Sequence, residues 1–378
     1  MYNNDSQLKK NKVFYIQPIL AGYRSPIIEK LAINFDTHCF YDNTEAQKQG
    51  HLAASSHLST VIQSTSIPLL GGRLFYQKNI IRHTLREKPD AIISFANPRF
   101  ISLWLSMILS ITLSIKFYAH GQGLYSYKNP SLLRKIMYRA ICKFSTKYVC
   151  YTELSRDSLI AAGCDANKLI TIRNSLELQT TIAPSQKTYT ENGVLFIGRL
   201  RDGCRLDTLI QAIEITRNNG QLLELHIIGG GQLEDKYKNQ YKNITWLHWH
   251  GPVHDNHRIA EISKLCRIGC YPGDAGLSVV HLFSLGLPPL IHKNIEAHMG
   301  PEPSYVSANG NGFLFDPATG ESGLSATLDS IWQLPAETMR DIAVSAYNTY
   351  LDLNNPTMGD QFVQLVLGNH YTLADAKP

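Results

Sequence analysis

The 378-residue chain has no Cys-x-x-Cys pair, no internal repeat, no low-complexity tract and no long uninterrupted apolar run. Its seven cysteines, Cys39, Cys142, Cys150, Cys164, Cys204, Cys266 and Cys270, are odd in number and scattered. That pattern argues against a disulfide framework or a structural zinc site, and buried thiols are expected instead. The longest apolar stretch, Phe100 to Ile115, is broken by Ser102, Ser106, Ser110 and Ser114. It falls short of the roughly 18 apolar residues of a spanning helix, and reads as a buried helix running into a strand at Lys116–Ala119. The segment Met1 to Lys12 is polar and has no apolar h-region, so the expected location is the cytoplasm.

What is present is the composition of a globular protein, with 44% hydrophobic and 18% charged residues. The length suits two domains, each with its own core. A net charge of +5 conceals an asymmetry: residues 1–190 hold 23 Lys+Arg against 11 Asp+Glu, and residues 191–378 hold 13 against 20. Within the basic half, Lys128, Arg134, Lys135, Arg139, Lys143 and Lys147 punctuate a helical pattern whose apolar members are Leu132, Leu133, Ile136, Met137, Tyr138, Ile141 and Phe144. Two readings stand side by side. The helix lies on an anionic inner-leaflet membrane surface, or it is the solvated outer face of an ordinary domain. No aromatic-interleaved or finger motif accompanies the charge, so no nucleic-acid partner is expected.

Strand and helix signals alternate throughout, which predicts an α/β protein with parallel sheets covered on both sides. In the first half, strands are expected at Val13–Ile16, His38–Tyr41, Ala91–Ser94, Lys116–Ala119, Tyr148–Tyr151 and Leu169–Arg173, with a helix near Pro26–Ile33. The polar stretch Gln179 to Asn192, with Pro184 near its middle, is the expected linker. Beyond it come strands from Val194, at Glu224–Ile228, Ile244–His248 and Arg267–Tyr271, and helices at Arg205–Asn218, Arg258–Lys264 and Gly276–Leu285. The expected division is an N-terminal domain over 1–185, a C-terminal domain over 190–355, and a segment 356–378 returning to the first domain. Ligands of doubly wound sheets bind beyond the carboxyl ends of the strands, which puts the active site in the cleft between two such domains.

The most telling segment runs from Gly273 to Pro288, where Gly-Asp-Ala-Gly-Leu-Ser opens onto an apolar helical pattern. The first amides of a helix have no partner within it and carry the positive end of its dipole, so Gly276, Leu277 and Ser278 are expected to receive a phosphate or diphosphate. His281, one turn further along the same face, stands at about 6 Å of rise, the reach of a ribose. Arg199 leaves the strand from Val194 through Gly198, which places a guanidinium fork at the same sheet edge.

Together with Phe196-Ile-Gly-Arg-Leu200 upstream and Asn311-Gly-Phe-Leu-Phe315 downstream, this segment resembles the C-terminal half of a retaining glycosyltransferase of family 4. The resemblance implies a GT-B fold of two doubly wound, Rossmann-like domains facing a cleft, and a role in bacterial surface polysaccharide biosynthesis. In that family the counterpart of Arg199 and a lysine five residues later neutralise the leaving diphosphate. Here the second position is Cys204, and Arg201 or Arg205 is the expected substitute, with Arg205 preferred. The family's two glutamates fall on Gly273 and His281; Asp274 offers a carboxylate to the sugar instead, and His281 a ring nitrogen to the ribose. The loop Gly229-Gly230-Gly231 resembles the one beside the nucleotide, although glycine clusters more often mark plain turns. His120, in Tyr118-Ala-His-Gly-Gln-Gly123, resembles the histidine next to the transferred sugar, and Gly22, Tyr23 and Arg24 resemble the loop near acceptor and phosphates.

The expected site is therefore His120, Arg199 and Asp274 for catalysis, with Gly22, Arg205, Gly229, Gly230, Ala275, Gly276, Leu277, Ser278 and His281 also binding the donor. The expected reaction moves a hexosyl group from a nucleoside diphosphate sugar, uridine-linked by the resemblance, to a hydroxyl of a lipid-linked glycan in polysaccharide or lipopolysaccharide biosynthesis. Such a protein works at the cytoplasmic face of the membrane. The absence of any Asp-x-Asp pair gives no support to metal-dependent transfer, and neither metal nor cofactor is expected. Glu153, Ser155 and Asn174 follow strands without an assigned role. His298 and Glu302 touch the sugar or cap a turn, and His248 and His250 lack identified metal partners. Two rival readings remain: an epimerase or hydrolase on the same scaffold, and a non-catalytic nucleotide-sugar-binding partner protein.

Overall fold

The computed structural model describes residues 10–42, 44, 57–126 and 129–369. The chain divides into two compact units, one ending at Arg173 and resuming at Pro356, the other running from Asn174 to Asn355.

In the first unit β1 (Lys12–Ile16), α1 (Ser25–Asn34), β2 (Asp36–Tyr41) and β3 (Thr60–Gln63) are followed by a hairpin of β4 (Ser66–Leu69) and β5 (Leu74–Gln77). Then come α2 (Ile80–Glu87), β6 (Ala91–Phe95), α3 (Ile101–Thr112), β7 (Lys116–Gly121), α4 (Leu132–Phe144), β8 (Lys147–Cys150), α5 (Glu153–Ala161) and β9 (Leu169–Thr171). The main sheet has the order β3-β2-β1-β6-β7-β8-β9, with every adjacent pair parallel. Its central strands read as unbroken apolar runs because both faces are covered. Phe14 and Ile92 enter the core on one side, Val13, Tyr15 and Ile93 that on the other.

The second unit contains β10 (Gly193–Ile197), α6 (Leu206–Asn218), β11 (Glu224–Ile228), α7 (Glu234–Gln240), β12 (Leu247–Gly251), α8 (Asn256–Ser263) and β13 (Cys266–Tyr271). It continues through α9 (Ser278–Ser284), β14 (Pro289–His292), β15 (Phe313–Phe315), α10 (Gly320–Trp332) and α11 (Ala336–Leu353). The order β12-β11-β10-β13-β14-β15, all parallel, is the doubly wound arrangement whose direction reverses between β10 and β13. The last helix, α12 (Met358–Leu367), lies in the first unit against α1. Thr357 caps it through the Asp360 amide, and Gly368 ends it in the left-handed region at φ 87°.

Three expectations shift. The division falls after Arg173 rather than near 185, because the polar stretch beyond it is anchored in the second unit: Ile182 and Tyr189 are core residues there. The strand expected at Ile244–His248 starts three residues later, at Leu247. The basic helix is only Leu132–Phe144, capped by the Ser131 hydroxyl; Lys147 lies on β8 and Lys128 is outside the described residues. All seven cysteines are buried free thiols. Among the described residues no helix is long and apolar enough to cross a membrane.

Candidate active site

In the second unit the reversal of strand order sets two loops side by side, Gly198–Arg205 after β10 and Pro272–Leu277 after β13. Hydrogen bonds tie them together. The Asp274 amide donates to the Gly203 carbonyl at 2.8 Å. The Arg201 guanidinium donates to the Asp274 carbonyl at 2.9 Å and, through its other nitrogen, to the Asp202 carbonyl at 2.7 Å. Tyr271 lies beneath: a Cβ built on Gly198 would stand 2.7 Å from its ring. Burial raises the Tyr271 hydroxyl to about 12, against the lowering influence of Arg201 and Arg199, so the phenol stays neutral in the company of both guanidiniums.

This contact pattern separates Arg201 from Arg205. Arg205 is exposed, with φ 50°, at the residue before α6. Arg201 is the arginine that the fold binds to the Asp274 loop. It also bears on two of the three departures from the resembled pattern, Cys204 and Gly273. Cys204 is fully buried, its thiol 3.9 Å from the Tyr237 hydroxyl, where a lysine would bury an unpaired charge. A Cβ on Gly273 would stand 1.9 Å from the Gly203 carbonyl oxygen. The two departures are thus one packing event, in which the loops close on each other without side chains between them.

The helix expected from Gly276 begins at Ser278, since Leu277 caps it in helical geometry with its carbonyl receiving the His281 amide. Among the described residues the amides of Gly276, Leu277 and Ser278 find no acceptor, and the buried Ser278 hydroxyl has no partner. His281 is partly covered on α9, and burial pushes its imidazole down to about 4, leaving it neutral at pH 7.

His298 and Glu302, given only a loop reading from the sequence, prove to hold this region. His298 Nδ1 accepts from the Ala275 amide at 3.2 Å while Nε2 lies 3.0 Å from the His292 carbonyl, so the two bonds require the neutral Nε2–H tautomer. Desolvation first, then His292 stacked at 3.8 Å, hold His298 down to about 4. The Glu302 carboxylate, 2% exposed, accepts from the Asn174 side-chain amide, and its other oxygen would lie 3.6 Å from a Cβ on Gly276. Neither role had a local signal, because each depends on loops distant in sequence.

The triple glycine has a structural cause. Gly229, at φ 148°, would place a Cβ 1.8 Å from the Gly198 carbonyl oxygen, and Leu200 donates to the Gly230 carbonyl at 2.9 Å. Gly229 and Gly231, whose Cβ atoms would meet the Gly198 and Leu200 carbonyl oxygens at 1.8 and 2.6 Å, therefore let this loop pack on the Arg199 loop, whatever ligand it also serves.

Gly22 and His120 belong to the first unit. Gly22 starts a single 3-10 turn ending at Arg24, which is buried with its guanidinium 3.1 Å from Met358 Sδ. His120 is the penultimate residue of β7, 1% exposed, with ring contacts to Tyr151 at 4.5 Å and Phe362 at 5.0 Å. Neither of its ring nitrogens has a hydrogen-bond partner among the described residues. Burial, then the Arg24 guanidinium, hold its pKa well below the usual imidazole value. Glu153 and Ser155 stand in the first turn of α5, where the Thr152 hydroxyl receives the Ser155 amide, so they build a helix start. Among the described residues one group of three side chains, Glu224, His226 and His248, brings metal-ligating atoms within 4.8 Å of one another; it is not part of these loops.

Residues 179–349, a little under half of the chain, match the family described as glycosyl transferases group 1. No curated protein matches the sequence. Among solved structures, HepE of Anabaena bound to UDP is 17% identical, with 95% of this chain and 100% of that one covered at a TM-score of 0.68. Sucrose-phosphate synthase of Thermosynechococcus elongatus is 15% identical over 97% and 100% at 0.69. The lipopolysaccharide outer core galactosyltransferase WaaB, without ligand, is 14% identical over 91% and 99% at 0.60. The fold is therefore GT-B, with two Rossmann-like domains. The family match and the fold together support a glycosyltransferase.

Proposed function

We propose that the protein is a retaining, family 4 type glycosyltransferase that transfers a hexosyl group from a UDP-sugar to a hydroxyl of a lipid-linked glycan in surface polysaccharide or lipopolysaccharide assembly. The observation that carries this reading is the pair of joined loops after β10 and β13, where Arg201 is bonded to the Asp274 carbonyl beside three amides without an acceptor among the described residues. That is the chemistry a diphosphate requires: fixed donors and positive charge at a sheet edge. The UDP-bound state of HepE supports the choice of base, and the likeness to WaaB the choice of pathway.

In this reading Arg199, Arg201 and the Gly276–Ser278 amides neutralise the diphosphate, and His281 meets the ribose. Asp274 and Glu302 supply the carboxylates for sugar hydroxyls that Gly273 and His281 do not. The bond from the anomeric carbon to the diphosphate breaks and the bond to the acceptor oxygen forms on the same face, while the acceptor proton passes to the departing phosphate oxygen. The neutral His120 imidazole of the first unit, whose ring nitrogens have no hydrogen-bond partner among the described residues, keeps the role that the resemblance gives it, contact with the transferred sugar. The reading calls on neither a metal nor a resident cofactor.

A membrane surface as partner is supported by α4, where Leu132, Leu133, Ile136 and Phe144 are all exposed beside Arg134, Lys135 and Lys143. An apolar stripe edged with cations suits an anionic leaflet.

Three measurements test the proposal. A panel of nucleotide sugars in a thermal-shift assay should raise the melting temperature with a uridine donor, because ligand binding to the folded state adds stability. Labelled sugar should then reach a lipid-linked glycan; turnover of the donor without acceptor would instead indicate a hydrolase or epimerase. Flotation with anionic vesicles, lost in a Leu132→Ser, Leu133→Ser variant, tests the membrane surface.

A further inference from the structure

On the second unit's sheet, β12 is an edge strand paired, among the described residues, only with β11, in parallel register with His226 opposite His248. Residues in direct register stand about 4.8 Å apart, and the two imidazoles accordingly stack at 4.6 Å between centroids and 20° between planes. Side chains two positions apart share a face, so Glu224 joins His226 from β11, and His250 joins His248 from β12. The result is a four-residue strip, and its contacts are close. His248 Nε2 lies 3.2 Å from Glu224 Oε2, yet this buried ring nitrogen has no aligned hydrogen bond. His226 Nδ1 lies 3.1 Å from His250 Nε2. One ligand atom from each of Glu224, His226 and His248 falls within 4.8 Å of the others.

We propose that Glu224, His226 and His248 bind a divalent transition-metal ion of the zinc class, fastening the edge strand β12 to β11. Two imidazoles and one carboxylate are a donor set that zinc takes, with a fourth position left for water. At metal–ligand distances of about 2.0–2.2 Å, tetrahedral ligand atoms lie roughly 3.3 Å apart. Closing from 4.8 Å therefore requires side-chain movements that bring these atoms together by at most about 1.5 Å, which the exposed Glu224 and the half-buried His248 can supply. His250 fills the outer-shell place: metal-bound histidines keep their second nitrogen hydrogen-bonded, and the neighbouring imidazole offers that bond to His226. Glu224 opens β11, whereas the nucleotide loops leave the far ends of the strands, so the ion would brace the sheet rather than meet the diphosphate.

Full-length protein freed of metal with a chelator is titrated with Zn2+ by calorimetry and with Co2+ by visible absorption. The expected result is one equivalent bound, a raised melting temperature, and a Co2+ d–d band. His248→Ala and Glu224→Gln should each weaken binding at least tenfold, while His254→Ala, at an exposed site outside the cluster, leaves it unchanged. Circular dichroism of each metal-free variant confirms folding, and the buried His226 is left intact for that reason. Absence of saturable binding would overturn the proposal, as would equal affinity in His248→Ala and Glu224→Gln or loss of binding in His254→Ala.

Discussion

Replacing His298 with phenylalanine isolates what holds the Ala275 loop. Phenylalanine retains the ring and its stacking on His292 but removes the ring nitrogens, and with them the acceptor for the Ala275 amide and the donor to the His292 carbonyl. Ala275 and His292 are 1% and 3% exposed, so water does not readily replace either bond. Leaving a buried donor or acceptor unpaired costs about 1–3 kcal/mol, and two such groups give about 2–6 kcal/mol. For a unit of this size, each kcal/mol lowers Tm by about 2–4 °C, so a fall of at least about 4 °C is expected in calorimetry. The same loop leads into Gly276, hence UDP affinity by titration calorimetry should fall at least tenfold. A Tm within about 1 °C of the parent together with unchanged UDP affinity would refute the view that His298 organises the loop.

Arg201→Met should weaken UDP binding by tenfold or more, whereas Arg205→Met should change it less than threefold; equal losses in titration calorimetry would return Arg205 to the site. Restoring the family residues should fail: Cys204→Lys and Gly273→Glu each put a long charged side chain into closed space, at about 3 kcal/mol or more, read as lost soluble expression or a much lower Tm. Stability should also fall with acid. His298 is held at about 4 in the folded state against about 6.5 unfolded, so the native state resists a proton that the unfolded chain accepts. Its contribution is complete above pH 6.5 and is lost between 6.5 and 4, up to about 3 kcal/mol, as denaturant titrations across that window would show; His298→Phe should flatten this slope.

The strands were legible because central parallel strands bury both faces and so appear as short, unbroken apolar runs, as at Val13–Ile16 and Ala91–Phe95. The glycine turn after β13 was legible too, since its spacing is local, although the helix start moved by two residues once Leu277 took the cap. The β4–β5 hairpin was not anticipated; its strands are short and half exposed, with no apolar run to mark them.

The chain's own order of residues determined the α/β alternation, the charge asymmetry and the candidate loops, because these depend on neighbours a few positions away. Only the tertiary structure decided that Arg201 rather than Arg205 reaches Asp274, that Cys204 and Gly273 close against each other, and that His298 and Glu302 hold the loop. Only the β11–β12 register decided that His226 and Glu224 stand beside His248. Each of these contacts joins residues more than twenty positions apart, and which partners meet is set by strand order and loop packing.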